Sequence, residues 1–320
     1  MSAFNGGVWP VMLTPFQRDG KLDMDGIRSL VSWYISQGCD GLFAVCQSSE
    51  MFCLSLDERI DLAREVVRLS AGRLPVLASG HVSDRLKDQA AELCALADCG
   101  VDGLVLVTNR LVASPQEDDR TMLQNLRRLL KELPRGIPLG FYECPYPFKR
   151  LLTADVLHFC LDSGRFRFIK DTSCDVDSIR EKLRILQGSD MMLYNANTAT
   201  LLDSLAAGAH GYTGVMANFH PRLYRWLTRH WQDCPREAQE LQAILSMCAL
   251  IELKKYPSCA KRYLRTAWGL ALEDTTRRDK GAPLFFPADD AELLQLKLLS
   301  DRWEARLAAD ENCAATAAQS

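Results

Sequence analysis

The chain is 320 residues long, with 48% hydrophobic, 25% charged and 8% aromatic residues. This composition supplies a large apolar core and excludes a wholly disordered protein, and the length suits a single α/β barrel as well as two domains. A formal charge of −3 leaves no cationic footprint for nucleic acid or an anionic membrane surface. No apolar run is long enough to span a bilayer, and Met1 to Gly7 lacks the basic and apolar regions of a signal peptide, so a cytoplasmic location is expected.

In chain order, eight short apolar or β-branched runs read as strands: Val8 to Leu13, Gly41 to Val45, Leu74 to Ala78, Gly103 to Val107, Pro138 to Tyr142, Phe166 to Ile169, Met191 to Tyr194 and Gly211 to Met216. Between them lie segments of helical period, such as Ile27, Leu30, Val31 and Tyr34. Strands alternating with helices imply a parallel sheet, and eight such units predict a closed (β/α)₈ barrel, the TIM barrel of the α/β class. Ser55 with Glu58 and Ser114 with Glu117 read as capping boxes at helix starts. Gly38, Gly100 and Gly208 sit where helices should close before the next strand.

After residue 220 the strand pattern stops. Helices are expected over Pro235 to Lys255, Pro257 to Leu270 and Asp289 to about Leu307, with Gly281 to Pro287 separating the last two. The resulting division is a catalytic barrel over 1–225, a C-terminal helical appendage over 226–308 and a disordered tail over 309–320.

The twelve cysteines are scattered without a Cys-x-x-Cys pair, which favours reduced, buried thiols over a disulfide framework. The five histidines form no ligand spacing with each other or with the cysteines, so no metal site is expected.

In a barrel the chemistry belongs at the C-terminal strand ends. Lys170 ends the apolar run Phe166-Arg-Phe-Ile-Lys170, and burial there would depress its pKa and supply a neutral amine able to attack a carbonyl. The competing reading is an ion pair between Lys170 and the adjacent Asp171. Tyr142 closes the preceding strand, within reach of a lysine adduct, where its phenol either shuttles protons or fills the top of the barrel. The turn Cys46-Gln-Ser-Ser-Glu50 after strand two offers hydroxyls and amide N–H groups suited to a carboxylate, or is only a turn.

Taken together, Thr14-Pro-Phe16, the turn ending in Glu50, Tyr142-Glu-Cys-Pro145, Ile169-Lys-Asp-Thr-Ser173, Gly208-Ala-His-Gly211, Val215-Met-Ala-Asn218 and Tyr256-Pro-Ser-Cys-Ala-Lys261 make the whole chain resemble the dihydrodipicolinate synthase/N-acetylneuraminate lyase family. The resemblance implies a class I aldolase or lyase in which Lys170 forms a Schiff base with pyruvate or a related 2-oxo acid and Tyr142 moves protons. It implies that Gln47, Ser48 and Ser49 form the carboxylate-binding turn, with Ser48 in place of a threonine hydroxyl, and that Thr213 stands at an apolar pocket position. Glu50 is implied to be structural. A homotetramer or homodimer is expected on the same basis, with no metal or organic cofactor.

Departures from the family pattern bear on the substrate. Gln47 replaces a relay hydroxyl, and Thr108-Asn-Arg-Leu-Val112 lacks the tyrosine pair that reaches a neighbouring subunit. No arginine follows Tyr142 in register, although Lys149 or Arg150 offers a substitute. Asn109, Arg110 and Glu143 are expected to present new polar groups to an aldehyde-bearing partner. Authentic 4-hydroxy-tetrahydrodipicolinate synthase activity, a 2-keto-3-deoxy sugar acid dehydratase or aldolase, and a non-catalytic keto-acid binder are the alternatives.

Overall fold

The computed structural model describes residues 4–278 and 285–317. Its strands are β1 (Gly7–Val8), β2 (Leu42–Val45), β3 (Val76–Ala78), β4 (Gly103–Val107), β5 (Leu139–Tyr142), β6 (Phe166–Asp171), β7 (Met192–Asn195) and β8 (Gly211–Tyr212). All pair in parallel in the order β1-β8-β7-β6-β5-β4-β3-β2, and a parallel bridge between Val11 and Phe43 joins the two ends of that row. The expected barrel is therefore present and closed, with β1 and β8 shorter than their apolar runs. Val11 still reaches the sheet through its bridge, whereas Val215–Asn218 coils into a 3₁₀ turn.

The helices of the barrel layer are α1 (Met24–Ser36), α2 (Leu56–Ser70), α3 (Leu86–Ala97), α4 (Asp119–Glu132), α5 (Ala154–Ser163), α6 (Val176–Leu186), α7 (Leu201–Ala206) and α8 (Pro221–His230). Ser55 and Glu58 make the predicted capping box on α2. Ser114 and Glu117 do not: α4 starts later, at the N-cap Asp118, whose carboxylate accepts from Thr121 N–H, while Glu117 turns back to accept from Ala113 N–H at 3.1 Å. Gly38, Gly100 and Gly208 adopt φ of 72°, 83° and 104°, the left-handed turn-back that a side chain resists.

Because α8 completes the barrel layer, the appendage begins beyond the expected boundary, with α9 (Pro235–Cys248), a 3₁₀ segment (Ala249–Leu253), α10 (Ser258–Trp268) and α11 (Pro287–Ala317). Helical backbone continues past residue 309, where a disordered tail is expected; alanine and glutamate there favour the helix. Residues 318–320 and most of the expected Gly281 to Pro287 separator lie outside the described residues.

Inside the barrel, Trp9, Phe43, Phe168 and Tyr194 fill the space with ring contacts, the tightest being Phe168 on Tyr194 at 4.9 Å. This aromatic plug is the floor on which the strand-end groups stand. Alternation along β6 sends Phe168 and Lys170 inward and Asp171 outward to the helix layer. Cys39, Cys46, Cys99, Cys144, Cys160 and Cys259 are buried, as expected of core thiols, whereas Cys53 and Cys174, contrary to that expectation, are exposed because they lie in the surface connections that follow β2 and β6.

Candidate active site

Tyr142 and Lys170 are direct partners in the β5–β6 register, which places the two side chains next to each other above the plug. The Lys170 ammonium lies 4.3 Å from the centre of the Tyr142 ring and 5.9 Å from that of Phe43. Lys170 is only 5% exposed. Burial pushes its pKa down from 10.5 to about 8, since an apolar site penalises the charged form. The competing ion pair is absent: the Asp171 carboxylate receives Lys182 of α6 at 2.5 Å and the Ser173 N–H and hydroxyl at 2.8 and 2.6 Å.

A cavity of about 290 Å³ opens over this pair, lined in part by Gln47, Ser48, Tyr142, Lys170, Glu252 and Tyr256. Larger clefts exist, including one of about 520 Å³ beside Arg222 and Arg225, but it contains no strand-end group of the kind the chemistry needs. The Tyr142 hydroxyl donates to Gln47 Oε1 at 3.1 Å, and the Cys144 thiol donates to the same oxygen at 3.4 Å. Gln47 thus holds the phenol through an acceptor. Burial raises the Tyr142 phenol well above its ordinary value, so it enters the site protonated.

Ser48 lines the cavity together with Tyr256. Ser49 does not line it. Its hydroxyl accepts from Cys46 N–H at 3.0 Å and donates to Ala44 O at 2.7 Å, and its own N–H goes to Cys46 O, so both groups close the turn. Thr213 is also withdrawn, its hydroxyl donating to Trp9 O at 2.8 Å, while Gly214 and Val215 line the cavity in its stead.

Three expected substrate contacts are also placed elsewhere. Glu143 is fully buried behind β5, where it accepts from Lys182 at 2.5 Å and from the backbone of Leu152 at 2.8 Å. Burial pushes its carboxyl up, against the pull of the Lys182 ammonium. Asn109 donates to the carbonyls of Cys144, Tyr146 and Phe148, pinning the loop after β5. Arg110 pairs with Asp84 at 2.5 Å beside a different cleft. Of the two suggested substitutes for the family arginine, Lys149 lines the cavity and donates to Thr172 O at 2.7 Å, whereas Arg150 pairs with Asp119.

The appendage contributes what strand-end reasoning missed. Tyr256 and Glu252 enter the cavity from the chain just before α10. Tyr256 accepts from Asn218 Nδ2 at 3.2 Å. The motif Tyr256 to Lys261 is its sequence signal; Glu252 has none, because the segment around it reads as a continuation of α9. Glu50 is the anchor of this docking, accepting from Lys261 Nζ at 2.8 Å, Thr276 Oγ1 at 2.7 Å and the Arg277 and Arg278 N–H groups, in agreement with its structural reading. Among the described residues no cluster of metal-binding side chains occurs, and no helix is long and apolar enough to cross a membrane.

The sequence model of the dihydrodipicolinate synthetase family matches residues 4–282. The chain belongs to the dihydrodipicolinate synthetase family. Among this family's members, 4-hydroxy-tetrahydrodipicolinate synthase of Alcanivorax borkumensis is 30% identical over 66% of this chain and 69% of the relative. The fold is shared with sialic acid aldolase of Ruminococcus gnavus, at a TM-score of 0.82 and 17% identity over 94% of this chain and 98% of that one. It is shared equally with YagE of E. coli K12, a family member solved in complex with pyruvate, at a TM-score of 0.78 and 21% identity over 93% and 98% of the two chains. Barrel, family and lyase class therefore stand as expected.

Proposed function

We propose that the protein is a class I aldolase or lyase in which Lys170 attacks the ketone of pyruvate, or of a closely related 2-oxo acid, to form a Schiff base. The observation that carries this reading is the buried Lys170 amine, without a carboxylate partner and depressed to about 8, facing the Tyr142 phenol in a closed barrel mouth. An amine with that pKa has a useful neutral fraction near pH 7 and can attack a carbonyl, and the resulting iminium then withdraws electrons from the bond to be made or broken. Tyr142 donates a proton to the carbinolamine oxygen as water leaves, its position fixed by Gln47. Ser48 supplies a hydroxyl to the 2-oxo acid carboxylate. The lysine itself provides the electrophilic activation, so no metal or organic cofactor is invoked.

The second substrate is an aldehyde other than the one used in lysine biosynthesis. Supporting this are Gln47 in the relay, the absence of tyrosine from Thr108 to Val112 and the lack of an arginine in register after Tyr142. A homo-oligomer and a cytoplasmic location complete the proposal, the latter in keeping with the buried thiols.

Borohydride reduction with pyruvate, followed by peptide mass spectrometry, tests the central step. An adduct confined to the Lys170 peptide and lost in Lys170→Ala is expected. No adduct with pyruvate or other 2-oxo acids would falsify the catalytic reading and leave a keto-acid-binding protein.

A further inference from the structure

We propose that Glu252 is the proton-transfer residue of the reaction, removing a proton from carbon 3 of the pyruvate adduct on Lys170 and delivering it to the oxygen of the aldehyde partner. The inference rests on the Schiff-base reading above and adds to it a group from the appendage that the strand ends do not supply.

Three observations place it there. Glu252 lines the same cavity as Lys170 and Tyr142, and among the described residues it is the one carboxylate that does so; Glu143 and Asp171 are turned to the other side of the sheet and bound to Lys182. Its side chain makes no hydrogen bond or ion pair among the described residues, so its carboxylate is not committed to another group. It belongs to the 3₁₀ segment Ala249–Leu253, which packs against the 3₁₀ turn Val215–Asn218 that follows β8 at the barrel mouth. Tyr256, Tyr142, Lys149 and Arg278 are the other titratable or charged groups that share this cavity with it, besides Lys170 and Cys174. Partial burial raises the Glu252 carboxyl, with Lys170 opposing, which suits a group that must both take and return a proton.

The need for such a group follows from Tyr142. Its hydroxyl is committed to Gln47 Oε1, and an amide oxygen accepts a hydrogen bond without passing a proton onward as a hydroxyl does. Tyr142 can serve carbinolamine dehydration, while the amide to which it donates passes no proton onward to the aldehyde side of the cavity. In the condensation direction the carbon 3–hydrogen bond breaks, its proton goes to the Glu252 carboxylate, and its electron pair forms the enamine as the iminium nitrogen regains its lone pair. The enamine carbon then bonds to the aldehyde carbon, and the carbonyl oxygen takes the proton from Glu252. One proton has moved from carbon 3 to the new hydroxyl, and water releases a 4-hydroxy-2-oxo acid from Lys170.

The test needs no knowledge of the aldehyde. Exchange of the pyruvate methyl protons in D₂O, followed by NMR, reports enamine formation, and borohydride trapping on Lys170 reports the preceding imine. With Glu252→Gln, exchange should fall by about a hundredfold or more while trapping stays within about threefold of the parent. Glu252→Asp should retain a measurable part of the exchange. Parent-like exchange in Glu252→Gln overturns the proposal, as does a parallel loss of exchange and trapping, which would make Glu252 a structural residue. Absence of exchange in a parent protein that traps pyruvate also overturns it, whereas absence of trapping in the parent is a failure of the Schiff-base reading itself.

Discussion

Two buried lysines face the two sides of β6, and their surroundings are opposite in kind. Lys170 stands inside the barrel mouth on aromatic rings, with no carboxylate in contact. Lys182 reaches from α6 to the outer side and binds Glu143 and Asp171, the residues that follow Tyr142 and Lys170 in the chain. The same residue type is thus left a bare, buried amine on one side of a sheet and made a tether on the other. The difference lies in what each ammonium meets: desolvation alone makes Lys170 easy to deprotonate, whereas two anions keep Lys182 charged. The tether also matters to the site, since Glu143 and Asp171 are joined one step beyond the Tyr142–Lys170 pair.

The comparison is sharpest at the extremes. Replacement of Lys170 by Met should abolish adduct formation with pyruvate, as read by mass spectrometry after borohydride, while leaving the fold intact. Lys182→Met removes the counter-charge of two buried carboxylates and should cost about 3–5 kcal/mol of stability, measured by urea unfolding. The Lys170→Met protein should move the other way in the same experiment, gaining on the order of 2 kcal/mol at pH 7, because a buried charge is relieved. The sign follows from the depressed base: the penalty on charged Lys170 is full below about 8, and it fades as pH rises toward the unfolded value of 10.5, so the gain of the Met variant should shrink over that window. A Lys182→Met protein as stable as the parent would remove the distinction between the two lysines.

Activity should report the Lys170 side of the comparison. The rate of trapping by borohydride should drop about tenfold for each pH unit below about 8 and level off above it, since only the neutral amine attacks. A profile centred near 10.5 would mean that burial does not depress this amine. The smallest effect is expected from Gln47→Ala, which frees the Tyr142 phenol by removing one hydrogen bond worth about 1 kcal/mol and should slow trapping only about fivefold.

Much of this molecule is written locally. Eight apolar runs, the Ser55 capping box and the glycines at 38, 100 and 208 each express a short-range preference, and the barrel follows because alternating strands and helices have few ways to bury both kinds of apolar face. Lys170 and Tyr142 are legible for the same reason: each ends an apolar strand, and strand ends are where a barrel exposes chemistry. Where local signals compete, tertiary geometry chose, as at Asp118, which caps α4 in preference to Ser114.

The chain order alone leaves open what a side chain faces, and that is where the site took its final form. Ser49, Thr213, Asn109 and Glu143 are polar residues near the strand ends, yet each turned away from the cavity to bind backbone or a buried ion, because an unsatisfied polar group in a packed interior is costly. Glu252 and Tyr256 lie far along the chain from Lys170 and reach the cavity only because Glu50 docks the appendage over the barrel. Residue type and spacing determined the barrel, the lysine and the tyrosine; the folding of one segment over another decided which other groups meet them, since contacts between distant parts of a chain depend on packing and not on sequence neighbourhood.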